Sequence, residues 1–107
     1  MIIHSGAGSG KFAASDPRFK ELANALDEGR GAMRKGSSLD GVEAAVSYME
    51  EAGVFNAGRG SCLTVDGRVQ LDAAIMKGDD RKGAGVGAVT VKGVQQGIST
   101  IWLPSNP

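Results

Sequence analysis

The sequence predicts an α+β protein in which two consecutive helices are followed by several short strands. Apolar residues recur at helical spacing between residues 17 and 53. Beyond Gly53 the pattern changes to short apolar runs separated by turn residues. Glycine supplies 17 of the 107 residues, as expected for tight turns and close backbone packing. This order of elements is typical of a layered sandwich, and we expect residues 1–107 to form a single domain.

Residues 1–4 are predicted to form a short buried strand that leads into the glycine-rich loop Ser5–Gly10. A loop between a strand and a helix raises the alternative of a nucleotide-binding loop over Gly6–Lys11. That motif needs a glycine where this chain has Ser5 and a serine or threonine where it has Phe12, so the hydroxyl that binds magnesium is missing. The glycine spacing of a dinucleotide fingerprint is not met either. Nucleotide binding is therefore the less favoured interpretation.

The first helix is predicted to begin at Asp16-Pro17, where the aspartate caps the free amides and the proline suits the first helical position. Gly36 is predicted to end it. The second helix begins with Ser37 and Asp40, which resemble a capping box, and ends at Gly53. The apolar stripes predicted to face the core are Phe19, Leu22, Ala23, Leu26 and Met33 in the first helix and Leu39, Val42, Ala45, Val46 and Met49 in the second.

The rest of the chain is predicted to form strands. Asp66-Gly67 is a strong two-residue hairpin signal, which predicts strands over residues 63–65 and 68–71. The second of these continues through residues 73–76, and a charged turn covers residues 77–83. Two more strands are predicted over residues 86–94 and 98–101. Residues 102–107 are predicted to be an open tail or a cut end of the chain.

Composition excludes several functional classes. Lys plus Arg and Asp plus Glu each number 12, so the net charge is zero and no nucleic-acid partner is indicated. No apolar run approaches the roughly 20 residues of a spanning helix, and the pattern of a signal peptide is missing, so we expect no membrane partner and a cytoplasmic location. The one cysteine, Cys62, excludes an internal disulfide and a thiolate zinc cluster, and we expect it to be a small buried apolar residue.

Three polar residues are candidates for chemistry. His4 has no identifiable partner as a general base, and a local hydrogen bond is the simpler role. Asp72 interrupts an apolar strand, and we expect a structural hydrogen bond to hold it. Asn56, which is followed by glycines, has two interpretations that the residues alone leave open. It is either a turn residue after the helix or an amide that the backbone aims into a cleft.

Four segments together resemble one enzyme family. They are His4-Ser5-Gly6-Ala7-Gly8, residues 38–46, Phe55-Asn56-Ala57-Gly58-Arg59-Gly60-Ser61, and Leu71-Asp72-Ala73-Ala74-Ile75-Met76 with Gly78. In order and spacing they are similar to the N-terminal part of the plant-type L-asparaginases/isoaspartyl peptidases, which are N-terminal nucleophile hydrolases. The resemblance covers residues 2–89. It implies part of a four-layer αββα sandwich that a second chain or segment completes.

The resemblance also implies how the activity is divided. Precursors of this family cut themselves, and the second subunit begins with a catalytic threonine in the context Thr-Val-Gly-Ala-Val. Thr64, Thr90 and Thr100 do not stand in that context, and residues 85–89 have glycine in place of the threonine. The chain is thus expected to be the α-subunit part of a hydrolase for L-asparagine and/or β-aspartyl (isoaspartyl) peptides, inactive without its β subunit. The complete enzyme would be a heterotetramer of two α and two β subunits.

Roles for individual residues follow from the same resemblance. Asn56 would support the nucleophile without being it, and the loop of His4, Ser5, Gly6, Ala7 and Gly8 would lie next to it. No organic cofactor is implied. A structural sodium ion is implied, and its ligands would be the backbone carbonyls of Met49, Glu50, Ala52, Phe55, Ala57 and Arg59. A non-catalytic fragment or orphan domain of the same fold is the alternative.

The chain departs from the family pattern at three places. Ser5 replaces a glycine, which is expected to stiffen the N-terminal loop. Gly53 stands where proline is frequent in the family. This is expected to loosen the loop that would bind the sodium ion. After Val89 the family's Asn-Pro turn and helix are not found, so the resemblance does not support the strand predicted over residues 98–101.

Overall fold

The structure, a computed structural model, describes residues 1–6 and 13–90, and these contain two helices followed by a two-stranded antiparallel sheet. Helix α1 spans Pro17–Lys35 and helix α2 spans Ser38–Ala52. A single 3-10 turn, Gly58–Gly60, follows α2. Strand β1 spans Gln70–Lys77 and strand β2 spans Lys82–Thr90. The predicted α+β class is confirmed.

Side-chain caps set the helix ends where the sequence predicted them. The Asp16 carboxylate accepts the backbone N–H of Arg18 at 2.9 Å at the start of α1. At the start of α2, the Asp40 N–H donates to the Ser37 hydroxyl at 3.3 Å and the Ser37 N–H donates to the Asp40 carboxylate at 2.7 Å. The predicted capping box is therefore present. Gly53 ends α2 in the left-handed conformation, with φ of 76°.

The two helices pack against each other through small residues. A Cβ atom added to Gly41 would lie 2.9 Å from the carbonyl oxygen of Gly29, so the two backbones approach closely. The same added atom would lie 2.9 Å from Cε of Met1, which shows that the Met1 side chain covers this contact. Ala25 and Ala45 are buried in the two helices. Backbone proximity thus takes the place of large interlocking side chains.

The predicted apolar stripes are only partly buried. Phe19 is 53% exposed, Val42 is 43% exposed and Ala23 is exposed, so the prediction that these three residues lie in the core was wrong. The reason is that the helices meet along the line of small residues, which runs beside the line of larger ones. No helix in residues 1–6 and 13–90 has the length and hydropathy needed to cross a bilayer.

Strands β1 and β2 form an antiparallel hairpin with a turn over residues 78–81. The pairing of the two strands is irregular at one point. It lies between the pair of Leu71 with Val89 and the pair of Ala73 with Val86. Asp72 on β1 therefore stands opposite two residues of β2, Gly87 and Ala88. Two residues opposite one define a β-bulge, which bends the strand and leaves one residue out of the ladder.

Some strand predictions were wrong. Residues 1–6 form no strand and Ile2 is 96% exposed, because no described strand lies beside them. The Asp66-Gly67 turn is present, with the Gly67 N–H donating to the Thr64 carbonyl at 2.9 Å, but its flanks are not strands and β1 begins only at Gln70. Strand β2 begins before the predicted residue 86. Residues 91–94, 98–101 and 102–107, which carry the remaining strand and tail predictions, lie outside the described residues.

Candidate functional site

The segment after α2 turns back over the end of that helix. Gly58 has φ of 52°, and a Cβ atom there would lie 2.7 Å from the Glu50 carbonyl oxygen. A Cβ atom on Gly60 would overlap the carbonyl oxygen of Phe55. Since only glycine fits both positions, the Gly-Arg-Gly sequence is what allows the chain to return.

Asn56 lies in this loop after α2. The preceding side chain, Phe55, is 5% exposed and anchors the segment, whereas Asn56 itself is exposed. The Asn56 Oδ1 atom accepts the backbone N–H of Cys62 at 2.8 Å. Among the hydrogen bonds within residues 1–6 and 13–90, this is the one that the Asn56 side chain forms, so its amide nitrogen is available as a donor. Asn56 both closes a turn and presents an amide, and the two interpretations of the sequence are compatible.

A cavity of about 310 Å³ lies between this loop and the start of β1. The residues that line it are Glu50, Asn56, Ala57, Gly58, Ser61, Cys62, Gln70, Leu71 and Asp72. Its volume is at the lower end of the range for ligand pockets. The cavity is large enough for a small polar group or for a few residues of a partner segment.

The cavity wall contains two carboxylates and no cationic side chain among the described residues. Glu50 is 5% exposed, and Asp72 is exposed. The Asp72 Oδ1 atom accepts the backbone N–H of Ala88 at 2.6 Å, so the predicted structural hydrogen bond of Asp72 is confirmed.

Cys62 is exposed, so the expectation of a small buried apolar residue was wrong. The reason is the path of the chain: residues 61–64 are neither helix nor strand and lie outside the core. At this position the backbone amide, and not the thiol, makes the contact with Asn56. Cys62 is one of the residues that line the cavity, and its thiol is not in a disulfide.

The N-terminal loop is described only in part. The Nδ1 atom of His4 accepts the backbone N–H of Gly6 at 3.0 Å, which confirms the local hydrogen bond expected for this histidine. His4, Ser5 and Gly6 are not among the described residues that line the Asn56 cavity. Ala7 and Gly8, and with them most of the alternative nucleotide loop, lie outside the described residues. The grouping of this loop with Asn56 stays a prediction.

The carbonyls predicted as sodium ligands belong to the end of α2 and the loop that follows. Met49, Glu50 and Ala52 lie in the last turn of the helix, where the aligned carbonyls carry partial negative charge. The Ala57 carbonyl accepts the Gly60 N–H at 3.1 Å, so the loop is closed next to that helix end. Backbone carbonyl oxygens are ligands that hard cations prefer, and this donor set fits sodium.

A second cavity, of about 650 Å³, lies between the start of α2 and the hairpin turn. Its lining includes Lys77 and Lys82 but also Asp40, Asp79 and Asp80, so the charge does not favour an anion. None of the residues predicted to be functional lines it. We therefore place the candidate site at the smaller cavity, where Asn56, Cys62 and Asp72 are brought together.

Two contacts of this site could not be read from the sequence. They are the bond from the Cys62 amide to Asn56 and the bond from the Ala88 amide to Asp72. Both depend on the path of the chain between the partners, and no residue pattern marks them. The glycines at positions 58 and 60 were the one local signal that the chain turns back tightly after α2.

Comparison with known proteins identifies the family. The family model described as asparaginase matches residues 1–103 of the chain. The chain belongs to this asparaginase family. The plant-type L-asparaginase of Pyrobaculum calidifontis is 42% identical over 102 residues, which cover 92% of this chain and 33% of that protein.

Other relatives have similar names. The plant-type L-asparaginase of Pyrococcus furiosus is 44% identical over 101 residues, covering 92% of this chain and 32% of the relative. The isoaspartyl peptidase/L-asparaginase of Mus musculus is 38% identical over 91 residues, covering 83% and 28%. The chain thus spans about a third of the length of the curated relatives it matches. The family inferred from the four sequence segments is confirmed.

Proposed function

We propose that this chain is the supporting, α-subunit part of an amidohydrolase whose nucleophile is a threonine in a second segment. The substrate is L-asparagine, a β-aspartyl (isoaspartyl) peptide, or both. The observation that carries the proposal is the Asn56 side chain, which the Cys62 amide holds at a cavity in a chain of the asparaginase family. The names of the relatives support the same class of reaction.

The proposed reaction is acyl transfer from the side-chain amide of the substrate to the threonine. The threonine hydroxyl attacks the carbonyl carbon while the threonine's own amine accepts the proton. The threonine amine then passes this proton to the nitrogen of the substrate amide, the C–N bond breaks, and ammonia leaves from L-asparagine or an amine leaves from a β-aspartyl peptide. Water hydrolyses the acyl-threonine and regenerates the free threonine. Asn56 contributes an N–H donor that orients the threonine, and its fixed position means that no reorganisation is needed during the reaction.

The threonines that the structure describes do not fit the role of nucleophile. The Thr64 hydroxyl donates to the Asp66 carboxylate and accepts the Arg68 N–H at 3.0 Å, so it is part of a turn. Neither Thr64 nor Thr90 is among the described residues that line the Asn56 cavity. This supports a nucleophile supplied by a β subunit.

The same β subunit would complete the fold. In the described part of the chain each strand has one neighbour, so both outer edges of the sheet are open. Leu63 is 65% exposed and Val65 is fully exposed in the segment that follows Cys62. Open strand edges and exposed apolar side chains are normally covered. These features support an αββα sandwich, and a cytoplasmic heterotetramer of two α and two β subunits is part of the proposal.

A structural sodium ion at the end of α2 belongs to the proposal as well. The carbonyls of Met49, Glu50, Ala52, Phe55, Ala57 and Arg59 would hold it. An ion there would stabilise the loop that carries Asn56, because it binds the folded loop and not the unfolded one. A thermal melt that does not change when sodium is replaced by tetramethylammonium contradicts this site.

The 107-residue chain alone is expected to release no ammonia from L-asparagine, and the chain co-expressed with a β segment that begins Thr-Val-Gly-Ala-Val is expected to be active. In the active complex, Asn56→Asp keeps an oxygen acceptor for the Cys62 amide but removes the N–H donor. We expect kcat to fall roughly 100-fold, as for other lost active-site donors, with little change in Tm. Ammonia release and thermal melts measure the two effects.

Asn24→Asp is the matched control, because it makes the same amide-to-acid change on α1, away from the cavity. It should leave kcat unchanged. Hydrolysis by the 107-residue chain alone, or a fully active Asn56→Asp complex, would refute the proposal. A folded complex without hydrolysis of either substrate class would favour the non-catalytic alternative.

A further inference from the structure

We infer that Asp72 is a positioning residue for the Asn56 cavity, and that it acts through the β-bulge of β2. The kinetic part of its test rests on the proposed function. A second readout, the reactivity of Cys62, does not depend on that function.

Asp72 accepts a hydrogen bond from the backbone of the bulge. Where Gly87 and Ala88 stand opposite one residue, the ladder between β1 and β2 is interrupted and one residue of β2 is left unpaired. The Asp72 carboxylate accepts the Ala88 N–H at 2.6 Å, across the hairpin and from directly opposite the bulge. A charged acceptor makes a shorter and stronger hydrogen bond than a neutral one.

Ala88 has a backbone conformation that alanine rarely adopts. Its φ is 51°, in the left-handed region, where the Cβ atom of an L-residue is crowded. Nothing in an alanine side chain compensates for this, whereas glycine would adopt the conformation freely. The hydrogen bond from the Ala88 amide to Asp72 is therefore what favours the left-handed conformation over an ordinary extended one.

The bulge lies next to the candidate site. Gln70, Leu71 and Asp72 form the wall of the Asn56 cavity that β1 contributes. Leu71 is 6% exposed, and it lies on the far side of the bulge from most of the hairpin. The extra residue lies in β2, and it allows Val89, which pairs with Leu71, to be half-buried on the same face as Val86. If the bulge were lost, the end of β2 beyond it would slip by one residue against β1, and its side chains would move to the opposite face. Asp72 thus determines how β2 pairs with Leu71 at the cavity wall.

The experiment uses the complete complex of this chain with its β segment. Asp72→Ala is expected to lower kcat about tenfold, since displacement of a wall by around 1 Å is known to reduce rates by one to two orders of magnitude. Asp72→Ala combined with Ala88→Gly is expected to recover most of the activity, because glycine keeps the left-handed backbone without the carboxylate. Asp72→Asn, which retains an oxygen acceptor, should also remain near the wild type.

Asp80→Ala is the matched control. Asp80 also accepts a backbone N–H of β2, that of Lys82 at 3.4 Å, but at the opposite end of the hairpin. Its removal should leave kcat unchanged. If Asp72→Ala fails to fold, the double variant with Ala88→Gly is still expected to fold and to be active. A double variant no better than Asp72→Ala, or an Asp72→Ala variant that behaves like Asp80→Ala, overturns the inference.

Alkylation of Cys62 separates this inference from the proposed function. Cys62 lines the same cavity and is exposed, and the labelling rate of its thiol is measured by peptide mass mapping. Asp72→Ala is expected to change the rate several-fold, the double variant to restore it, and Asp80→Ala to leave it unchanged. A wild-type complex without hydrolysis but with this labelling pattern rejects the function and keeps the role of Asp72. An unchanged labelling rate in Asp72→Ala rejects that role.

Discussion

Asp16 shows how a single side chain starts an element and responds to pH. Its carboxylate accepts hydrogen bonds from the Arg18 guanidinium, at 2.9 and 2.6 Å, and from the Arg18 backbone N–H. These contacts, the side-chain bond first, lower the pKa of Asp16 from 3.8 to about 2. The ionised form is therefore favoured in the folded chain.

The stability of α1 should depend on pH through this residue. A lowered pKa means that the stabilisation is present above the ordinary pKa of an aspartate and is lost as the pH falls toward 2. Asp16→Asn keeps an oxygen cap but does not titrate. We expect the wild type to lose a few degrees of Tm relative to Asp16→Asn between about pH 4 and pH 2. Parallel Tm curves for the two proteins across that range would contradict the assignment.

At the scale of elements, the contact between α1 and α2 depends on two glycines. A Cβ atom on Gly41 would lie 2.9 Å from the Gly29 carbonyl oxygen and 2.9 Å from Cβ of Met33. Both are backbone or near-backbone atoms, and they cannot move without moving a helix. Gly31, also in α1, has no atom within 4 Å of an added Cβ.

Gly41→Ala and Gly31→Ala should therefore have opposite effects. Alanine in place of glycine improves helix propensity by about 1 kcal/mol at either position. At residue 41 overpacking costs about 1–3 kcal/mol, which outweighs that gain. We expect Gly41→Ala to lower the free energy of unfolding and Gly31→Ala to raise it, as measured by urea denaturation. Equal stabilisation by both substitutions would show that the helices do not approach this closely.

The helices could be predicted from the sequence because their caps act within a few residues. The strands could not, because each depends on a partner strand that local residues do not specify. The caps at Asp16, Ser37 and Gly53 act within a few residues, so both helices begin and end where their residues predicted. The strand predicted before Asp66-Gly67 failed because β1 pairs with the segment that follows it. For the site, Asn56 could be singled out from its glycine neighbours, but its partner Cys62 depends on the path of the loop.

At the scale of the whole molecule, the described core is small. The buried apolar residues among residues 1–6 and 13–90 are Ala25, Ala45, Phe55 and Leu71, and two of them are alanines. Phe19, Leu63, Val65 and Met76 are more than half exposed. Burial of apolar surface is the main favourable term in folding, so these side chains contribute little until another segment covers them.

The isolated chain should consequently unfold in a broad transition at low temperature. Addition of the β segment at 100 times its dissociation constant is expected to stabilise the chain by about 2.7 kcal/mol through mass action. Thermal melts followed by circular dichroism, with and without the β segment, measure the difference. A sharp transition at the same temperature in both samples would show that this chain needs no partner to fold.

The bond between Asn56 and Cys62 has a consequence for how this site tolerates change over evolutionary time. Asn56 contacts the backbone amide at position 62, and every amino acid except proline supplies that amide. Substitutions at position 62 can therefore accumulate and alter the shape and polarity of the cavity wall while the Asn56 side chain stays in place. Selection on substrate preference can act at position 62 without disturbing Asn56, the residue proposed to support the nucleophile.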